Sequence, residues 1–473
     1  MNQFIDKIKK YFFLLPLFIF VAIAFPHLSL PYFWDEAWSY FPAAFKMYEN
    51  GPSLIPGSLP LWDAKGHPLF FFFISSVWMR LFGTSVFAVH LLPFLISLST
   101  LGALFVLVKK QAGTWAANIA VLLFSVQSLV LAQATFLLPE MLITLLLLLA
   151  IHFYLDKKYW LFVLVASIMV MTKETSIVFI GGFLLFHLFV YLKPGKESRR
   201  YIFESVLLCL PLLVYALFLL LHKKAFGTFL FQEHTGYIEF SFAAVARKLQ
   251  IATGIIFTRY GRNIILLATL IAPVILIIKK IKLQNKKLLA LLLVLTILFL
   301  LFSALNFYTQ RYMLSLLALF ITITSVLLVQ VKFSKHYLNV LVIVIISAVP
   351  FYYSLTKKSN SDSDLGFVNV VKVHQQMVKY CEDQAWQEQP ISASFNLIFC
   401  LRNPHLGYVS SEKGFSNVMD LKKFNQAEIF LNDCTSFGAD AQLDSIVSSN
   451  KLVKEFELQK AWGKIYTELP VKN

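Results

Sequence analysis

Two adjacent carboxylates, Asp35 and Glu36, stand among aromatics in Phe33-Trp34-Asp35-Glu36-Ala37-Trp38-Ser39-Tyr40, directly after an apolar run from Tyr11 to Pro31. A carboxylate at a bilayer centre costs about 2.5–3.5 kcal/mol on insertion scales, and less at the interface. The pair is therefore either a polar cap, with the aromatics as an interfacial belt, or a place for chemistry. One carboxylate can take a proton from a hydroxyl while its neighbour orients an acceptor or a cation. Other residues of the same kind recur along the chain: His67, Glu140 after Pro139, Lys173-Glu174 inside an apolar stretch, Glu233-His234, and Arg311-Tyr312. Each has a plain reading. Lys173-Glu174 can be a local ion pair that turns the chain, Arg311 can face headgroups, and Glu233-His234 can simply be solvated. A common side of a membrane would change that weighting, because acids and bases sharing one interfacial pocket suit chemistry on a lipid phosphate.

The elements that must position them are membrane helices. The chain has 473 residues, 58% hydrophobic and 14% charged, with a mean hydropathy of +0.69. That balance defines a polytopic membrane protein. The net charge of +16 does not point to nucleic acid, because the basic residues sit in short clusters between apolar runs. Runs of about 17–25 residues read as spans, and eleven are found, near 11–31, 84–108, 114–134, 138–155, 158–172, 176–192, 201–221, 262–280, 287–305, 313–331 and 337–356. Lys7, Lys9 and Lys10 before an apolar run resemble the start of a signal peptide, but the run continues past Ala22-Ile23-Ala24, which favours an uncleaved first helix.

The segment 67–82 is apolar too, and charge decides its place. With the N-terminus inside and 67–82 in the outer interface, the inside segments hold 18 Lys/Arg and 3 Asp/Glu. Making 67–82 a span would put the Lys109-Lys110 pair and the lysine-rich 279–287 loop outside, against the positive-inside rule. Trp78 and Arg80 suit interfacial depth. Residues 32–83 and 222–261 then form outer loops, and all the costly residues above fall on the outer side.

The tail, 357–473, is a different material, with 13 Lys/Arg, 14 Asp/Glu and no long apolar run. A flexible Ser/Asn/Asp linker, 357–364, is expected first. Then come a helix near 367–383, strands at 391–400 and 427–431, a helix near 441–449, and strands at 452–459 and 463–468. The fold class is thus an α-helical polytopic membrane domain, 1–356, of about 11 spans, with a small α/β extracytoplasmic domain, 357–473. Cys209 reads as packing. Cys381, Cys400 and Cys434 leave one disulfide open without fixing its pairing. No nucleotide-binding fingerprint occurs.

The order of these short motifs resembles the polytopic GT-C glycosyltransferases that use polyprenyl-phosphate sugars, in particular the protein O-mannosyltransferases and the aminoarabinose transferases of lipid A. Asp35-Glu36 matches an Asp-Glu pair after the first helix. His67-Pro68 opens and Leu81-Phe82-Gly83 closes an interfacial helix. Glu140, Met171-Thr172-Lys173, Phe231-Gln232-Glu233-His234 and Arg311-Tyr312 match later motifs in order. The likeness covers about residues 10–335. Trp38 and Tyr237 stand where that family often has Arg, and His67 where the lipid A enzymes use Lys. The resemblance implies an inverting transfer from a polyprenyl-phosphate donor to an extracytoplasmic glycan, lipid or protein, in the multi-pass plasma (inner) membrane of a bacterium. Asp35, with Glu36, would be catalytic, and Lys173, Arg311 and His67 would bind the donor phosphate. Glu140, Glu233, His234 and Tyr312 would orient the acceptor or a divalent cation, whose involvement is left open. The rivals are a secondary transporter, which would place ionisable groups near the midplane, and a polymerase or ligase of lipid-linked glycans.

Overall fold

The computed structural model describes residues 11–191, 198–331, 336–436 and 447–471. Among the described residues, fourteen helices of ten or more residues build the membrane part: α1 (Leu14–Ala24), α2 (Phe41–Asn50), α3 (Phe70–Phe82), α4 (Val86–Ala112), α5 (Thr114–Ser125), α6 (Glu140–Leu155), α7 (Tyr159–Thr172), α8 (Ile177–Tyr191), α9 (Ser198–Phe226), α10 (Phe242–Thr253), α11 (Arg262–Ile278), α12 (Lys286–Leu305), α13 (Leu314–Leu328) and α14 (His336–Thr356). All but α2, α3 and α10 coincide with the apolar runs read from the sequence. Among the described residues six helical stretches are long and apolar enough to cross a membrane, and the other apolar helices are shorter. A helix satisfies its own backbone in lipid. The outward side chains are apolar, Phe18, Leu164, Phe189, Leu220 and Ile277 among them.

Two segments depart from regular spans. The run 114–134 breaks after Ser125, and residues 126–139 cross the interior as a buried segment that is irregular but for one short helix, Ser128–Ala132. Gln127 pins the break: its Nε2 donates to the Leu123 carbonyl (2.7 Å) and its Oε1 accepts from Arg262 Nε (2.9 Å). Non-helical backbone at this depth is tolerated because protein surrounds it. The expected outer loop 222–261 contains a helix, α10, cut off from α11 where Tyr260 takes φ 55°.

Helix α3 buries Phe71, Phe72, Ser75, Ser76 and Met79 on one face and leaves Leu81 and Phe82 outward. Trp78 Nε1 donates to the Ala88 carbonyl and Arg80 Nη2 to that of Tyr48, both at 2.7 Å, so the helix is tied to α4 and α2. Before it, Gly66 takes φ +69°, and a Cβ there would lie 2.7 Å from Phe231 Cβ. Only glycine lets the loop carrying His67 seat that close against the 231–235 segment.

The tail holds α15 (Phe367–Asp383) and a sheet of β1 (Ile391–Ala393), β2 (Val418–Asp420), β3 (Ile429–Asp433), β4 (Leu452–Leu458) and β5 (Ala461–Thr467), with α16 (Phe395–Arg402) between β1 and β2. The strand order is β2-β1-β3-β5-β4, with β1 parallel to β2 and β3, and β5 antiparallel to β3 and β4. The expected strand 391–400 is corrected: it ends at Ala393, and Leu397, Ile398, Cys400 and Leu401 bury one face of α16. A wholly apolar run hides that switch of period. The expected helix near 441–449 falls largely outside the described residues. All four cysteines are free thiols.

The linker is the larger correction. It was expected to be flexible, yet Asp362, Ser363 and Asp364 are buried. Asp364 Oδ1 accepts from the amides of Ser359 (2.9 Å) and Gly366 (2.8 Å), and its Oδ2 accepts from Tyr260 Oη (2.9 Å). The tail then packs on the membrane part: Tyr408 Oη donates to the Tyr32 carbonyl (3.0 Å), and the Phe367 ring sits among His27, Phe33 and Phe136.

Candidate active site

The chain reaches the site through an unusual turn. Trp34 takes φ 54°, a left-handed conformation that bulky residues rarely adopt. A π-helical turn, Glu36–Tyr40, follows and runs into α2, the kind of irregularity that recurs at functional sites. The turn sends the two neighbouring carboxylates to different partners.

Asp35 turns to Arg311. Its Oδ2 accepts from Arg311 Nη2 and its Oδ1 from Trp38 Nε1 at 2.7 Å. Arg311, only 1% exposed, gives Nη1 to Asp362 Oδ2 at 2.5 Å, and its Nε lies 3.4 Å from Glu140 Oε1. One planar fork thus collects three carboxylates from far apart in the chain. Burial pushes the Asp35 carboxyl up, but the Arg311 charge, hydrogen bonds from Trp38 and Arg311, and Lys173 outweigh it and hold Asp35 below the usual aspartate range. For Asp362 burial prevails over Arg311, with Asp35 adding to it, and the carboxyl is raised. Environments that split two neighbouring carboxyls in this way are typical of acid–base sites.

Glu140, at the first turn of α6, also accepts from Lys173 Nζ at 2.9 Å. Lys173 is buried, and its ammonium lies 3.7 Å from the centre of the Tyr312 ring, a cation–π contact. Glu140 Oε2 has no hydrogen-bond partner among the described residues. His67 Nδ1 meets Glu174 Oε2 at 2.9 Å, and its ring stacks on Tyr40 at 6.3 Å.

Glu36 is fully buried. Its Oε1 accepts from His90 Nε2 (2.9 Å) and the Leu137 amide (2.5 Å), and its Oε2 from the Phe33 amide (3.4 Å). It ties the turn to α4 and to the irregular 126–139 segment. Glu36→Ala would strand those donors. Each buried unsatisfied group costs about 1–3 kcal/mol, so a clearly lowered melting temperature in detergent is the expected result.

Glu233 is exposed in the short helical turn Gln232–Thr235, near enough to Lys65 to work against the lowering of its ammonium by burial, as Asp35 also does; the side chain of His234 lies outside the described residues. Among the described residues no group of three His, Cys, Asp or Glu is placed to hold a metal.

Sequence reasoning missed Asp362 and His90. Asp362 lies in a Ser/Asn/Asp stretch whose composition reads as solvated loop. His90, a polar residue within an apolar run, was the one signal available for a buried partner of Glu36.

Beside the fork opens a cavity of about 960 Å³, lined by Trp34, Arg247, Arg259, Tyr308, Arg311 and Asp362 among others. Arg247 and Arg259 are exposed on its wall, and neither makes a hydrogen bond or ion pair among the described residues. Phe307 lines it too and is half exposed, and Phe240 and Phe242, just before and at the start of α10, are exposed.

This architecture is the GT-C glycosyltransferase fold. The ArnT structures from Cupriavidus metallidurans superpose over nearly the whole chain: the undecaprenyl-phosphate-bound form with TM-score 0.58 and 14% identity, and the apo form with 0.61 and 12%, each covering 96% of this chain and 97% of that one. The oligosaccharyltransferase AglB from Archaeoglobus fulgidus, in complex with an inhibitory peptide and a dolichol-phosphate, matches with TM-score 0.51 and 12% identity over 89% of this chain and 65% of its own. Within the sequence, residues 66–222 match the family model described as dolichyl-phosphate-mannose-protein mannosyltransferase. Comparison with curated proteins finds none that matches.

Proposed function

We propose that the chain is an inverting glycosyltransferase that moves a sugar from a polyprenyl-phosphate donor to a hydroxyl acceptor at the outer face of the plasma membrane. The observation that carries this reading is the ion pair of Asp35 with Arg311, which itself lines a large cavity together with Arg247 and Arg259, two arginines without a hydrogen bond or ion pair among the described residues. The family match over residues 66–222 and the shared fold support it.

A polyprenyl-phosphate sugar brings its own leaving group. The anomeric C–O bond breaks through an oxocarbenium-like transition state. As the acceptor hydroxyl attacks the anomeric carbon from the opposite face its proton becomes acidic, and Asp35 takes it. Charge building on the departing phosphate needs cations aimed at it. Arg247 and Arg259, without a hydrogen bond or ion pair among the described residues, stand on the cavity wall to receive that phosphate, with Arg311 beside them. Lys173 keeps Glu140 and Tyr312 in place, and His67 with Glu174 closes the other flank. We assign Glu36 a holding role.

Lipid binding tests this reading. The purified chain should bind a polyprenyl-phosphate sugar, with free polyprenyl phosphate competing. A protein indifferent to both at high micromolar concentration is not a transferase of this class, and a transporter of soluble solutes should show neither response. Sidedness has its own test. Cysteines placed at the exposed positions Ile55 and Glu412, in a background without native cysteines, should both react with an impermeant maleimide in intact cells. Labelling of one without the other would refute the placement of 32–83 and the tail on one side.

A further inference from the structure

The segment Ser359–Gly366 is built as a strap. Asp364 closes a tight turn by accepting from the Ser359 and Gly366 amides, and Tyr260 anchors that same carboxylate to the membrane part. Gln133 Nε2, from the buried 126–139 segment, donates to the Asp362 carbonyl at 2.7 Å. Between these two anchors the Asp362 side chain is delivered to Arg311 Nη1. There is no room to vary the turn: a Cβ on Gly366 would lie 2.6 Å from the Ser359 nitrogen and 2.8 Å from Asp364 Oδ1. An idle linker needs none of this. A solvated aspartate avoids the desolvation that a buried carboxylate must offset with partners.

We propose that Asp362 is a positioning residue of the transfer centre, delivered by this strap, so that the tail domain completes the active site instead of merely flanking it. The inference rests on the transferase reading for its chemistry but not for its geometry. Arg311 has one fork to share. With Asp362 on Nη1, the guanidinium plane is fixed and Nη2 faces Asp35. The charged groups around the fork are Arg311 and Lys173 on the positive side, Asp35, Asp362 and Glu140 on the negative, and Lys65 at longer reach of Asp35.

Asp362→Asn keeps the shape and removes the charge. At neutral pH Arg311 Nη1 then loses its anionic anchor, and the guanidinium is freer to turn from Asp35. Because Trp38 Nε1 donates to Asp35, the ¹⁹F signal of Trp38 in 5-fluorotryptophan-labelled full-length protein, assigned by its loss in Trp38→Phe, reads the seating of Asp35 without any substrate. The expected result is a Trp38 signal displaced at neutral pH in Asp362→Asn, with the same direction in Tyr260→Phe, which loosens the strap from outside the fork. Asp362→Glu, which keeps the charge, should stay near wild type. A Trp38 signal unmoved in Asp362→Asn overturns the proposal. In the transfer assay, kcat should fall by about 10²-fold, the scale of a misplaced reacting group, with the donor KM little changed. Variants whose Trp38 signals move as described, beside a wild-type protein that transfers nothing, would count against the transferase reading alone, and an active enzyme indifferent to Asp362→Asn would count against the strap alone.

Discussion

Asp35→Asn is expected to leave the protein folded and stop transfer. The amide fills the same space and can still accept from Trp38, and Arg311 keeps Asp362 and Glu140. The loss in stability should therefore not exceed that of one hydrogen bond to a charged group, about 1.5–3 kcal/mol. The chemical loss is larger, because an amide cannot take the proton of the attacking hydroxyl. Removing a general base lowers rates by about 10²–10⁴-fold, and the adjacent carboxylate cannot substitute, since Glu36 is buried with both oxygens engaged. Initial rates at saturating donor, beside melting curves in the same detergent, separate the two effects. Turnover within about threefold of wild type, well inside that range, would remove Asp35 from the base role. The pH dependence carries the same assignment. The folded carboxyl of Asp35 is depressed, so its ionised form, and the stability it contributes through Arg311, are present above the unfolded value of about 3.9. Both are lost only as pH falls through the lower folded value. The acidic limb belonging to Asp35 should lie below the ordinary aspartate range.

What the sequence made legible follows from what membranes and motifs demand. Apolar length is imposed by the bilayer, so the helices α1, α4–α9 and α11–α14 could be read with their approximate ends. The 310 turn after α1 and the break after Ser125 could not, because both lie in runs that are apolar throughout, and only tertiary partners such as Gln127 and Arg262 decide where such a run stops being helical. Asp35, Glu140, Lys173, Arg311 and Tyr312 stood out because each is expensive where it sits, and the structure brings these five together. Glu36 stood out for the same reason and proves to be bound inward to His90 and a backbone amide. Cost flags a residue but does not say which way its side chain turns, and a π-helical turn reverses the sense of neighbours. Asp362 was invisible for the opposite reason. Asp among Ser and Asn is cheap in a solvated loop, and its burial depends on Tyr260 and Gln133, which are about 100 and 230 residues away in sequence.

Arg311→Ala should be the most destabilising single change in the site. Asp35, Asp362 and Glu140 would be left facing one another, with Lys173 the one cation of the cluster remaining and already engaged by Glu140. Breaking a buried ion pair by removing one partner costs about 3–5 kcal/mol, because the other charge stays buried; here three share the loss. The direction of compensation is a sharper test than the size. Removing a second charge should help: Arg311→Ala with Asp362→Asn should melt higher than Arg311→Ala alone, although each single change lowers stability. That sign of coupling is expected only for groups in direct contact. Arg311→Lys should fall between wild type and Ala, since an ammonium keeps the charge but presents it at a point and cannot fork between Asp35 and Asp362. Thermal denaturation of the wild type, Arg311→Ala, Asp362→Asn, their double variant and Arg311→Lys in one detergent reads the order directly. Simple additivity in the double variant, or an Arg311→Ala protein that melts like wild type, would mean that the fork does not hold these carboxylates together.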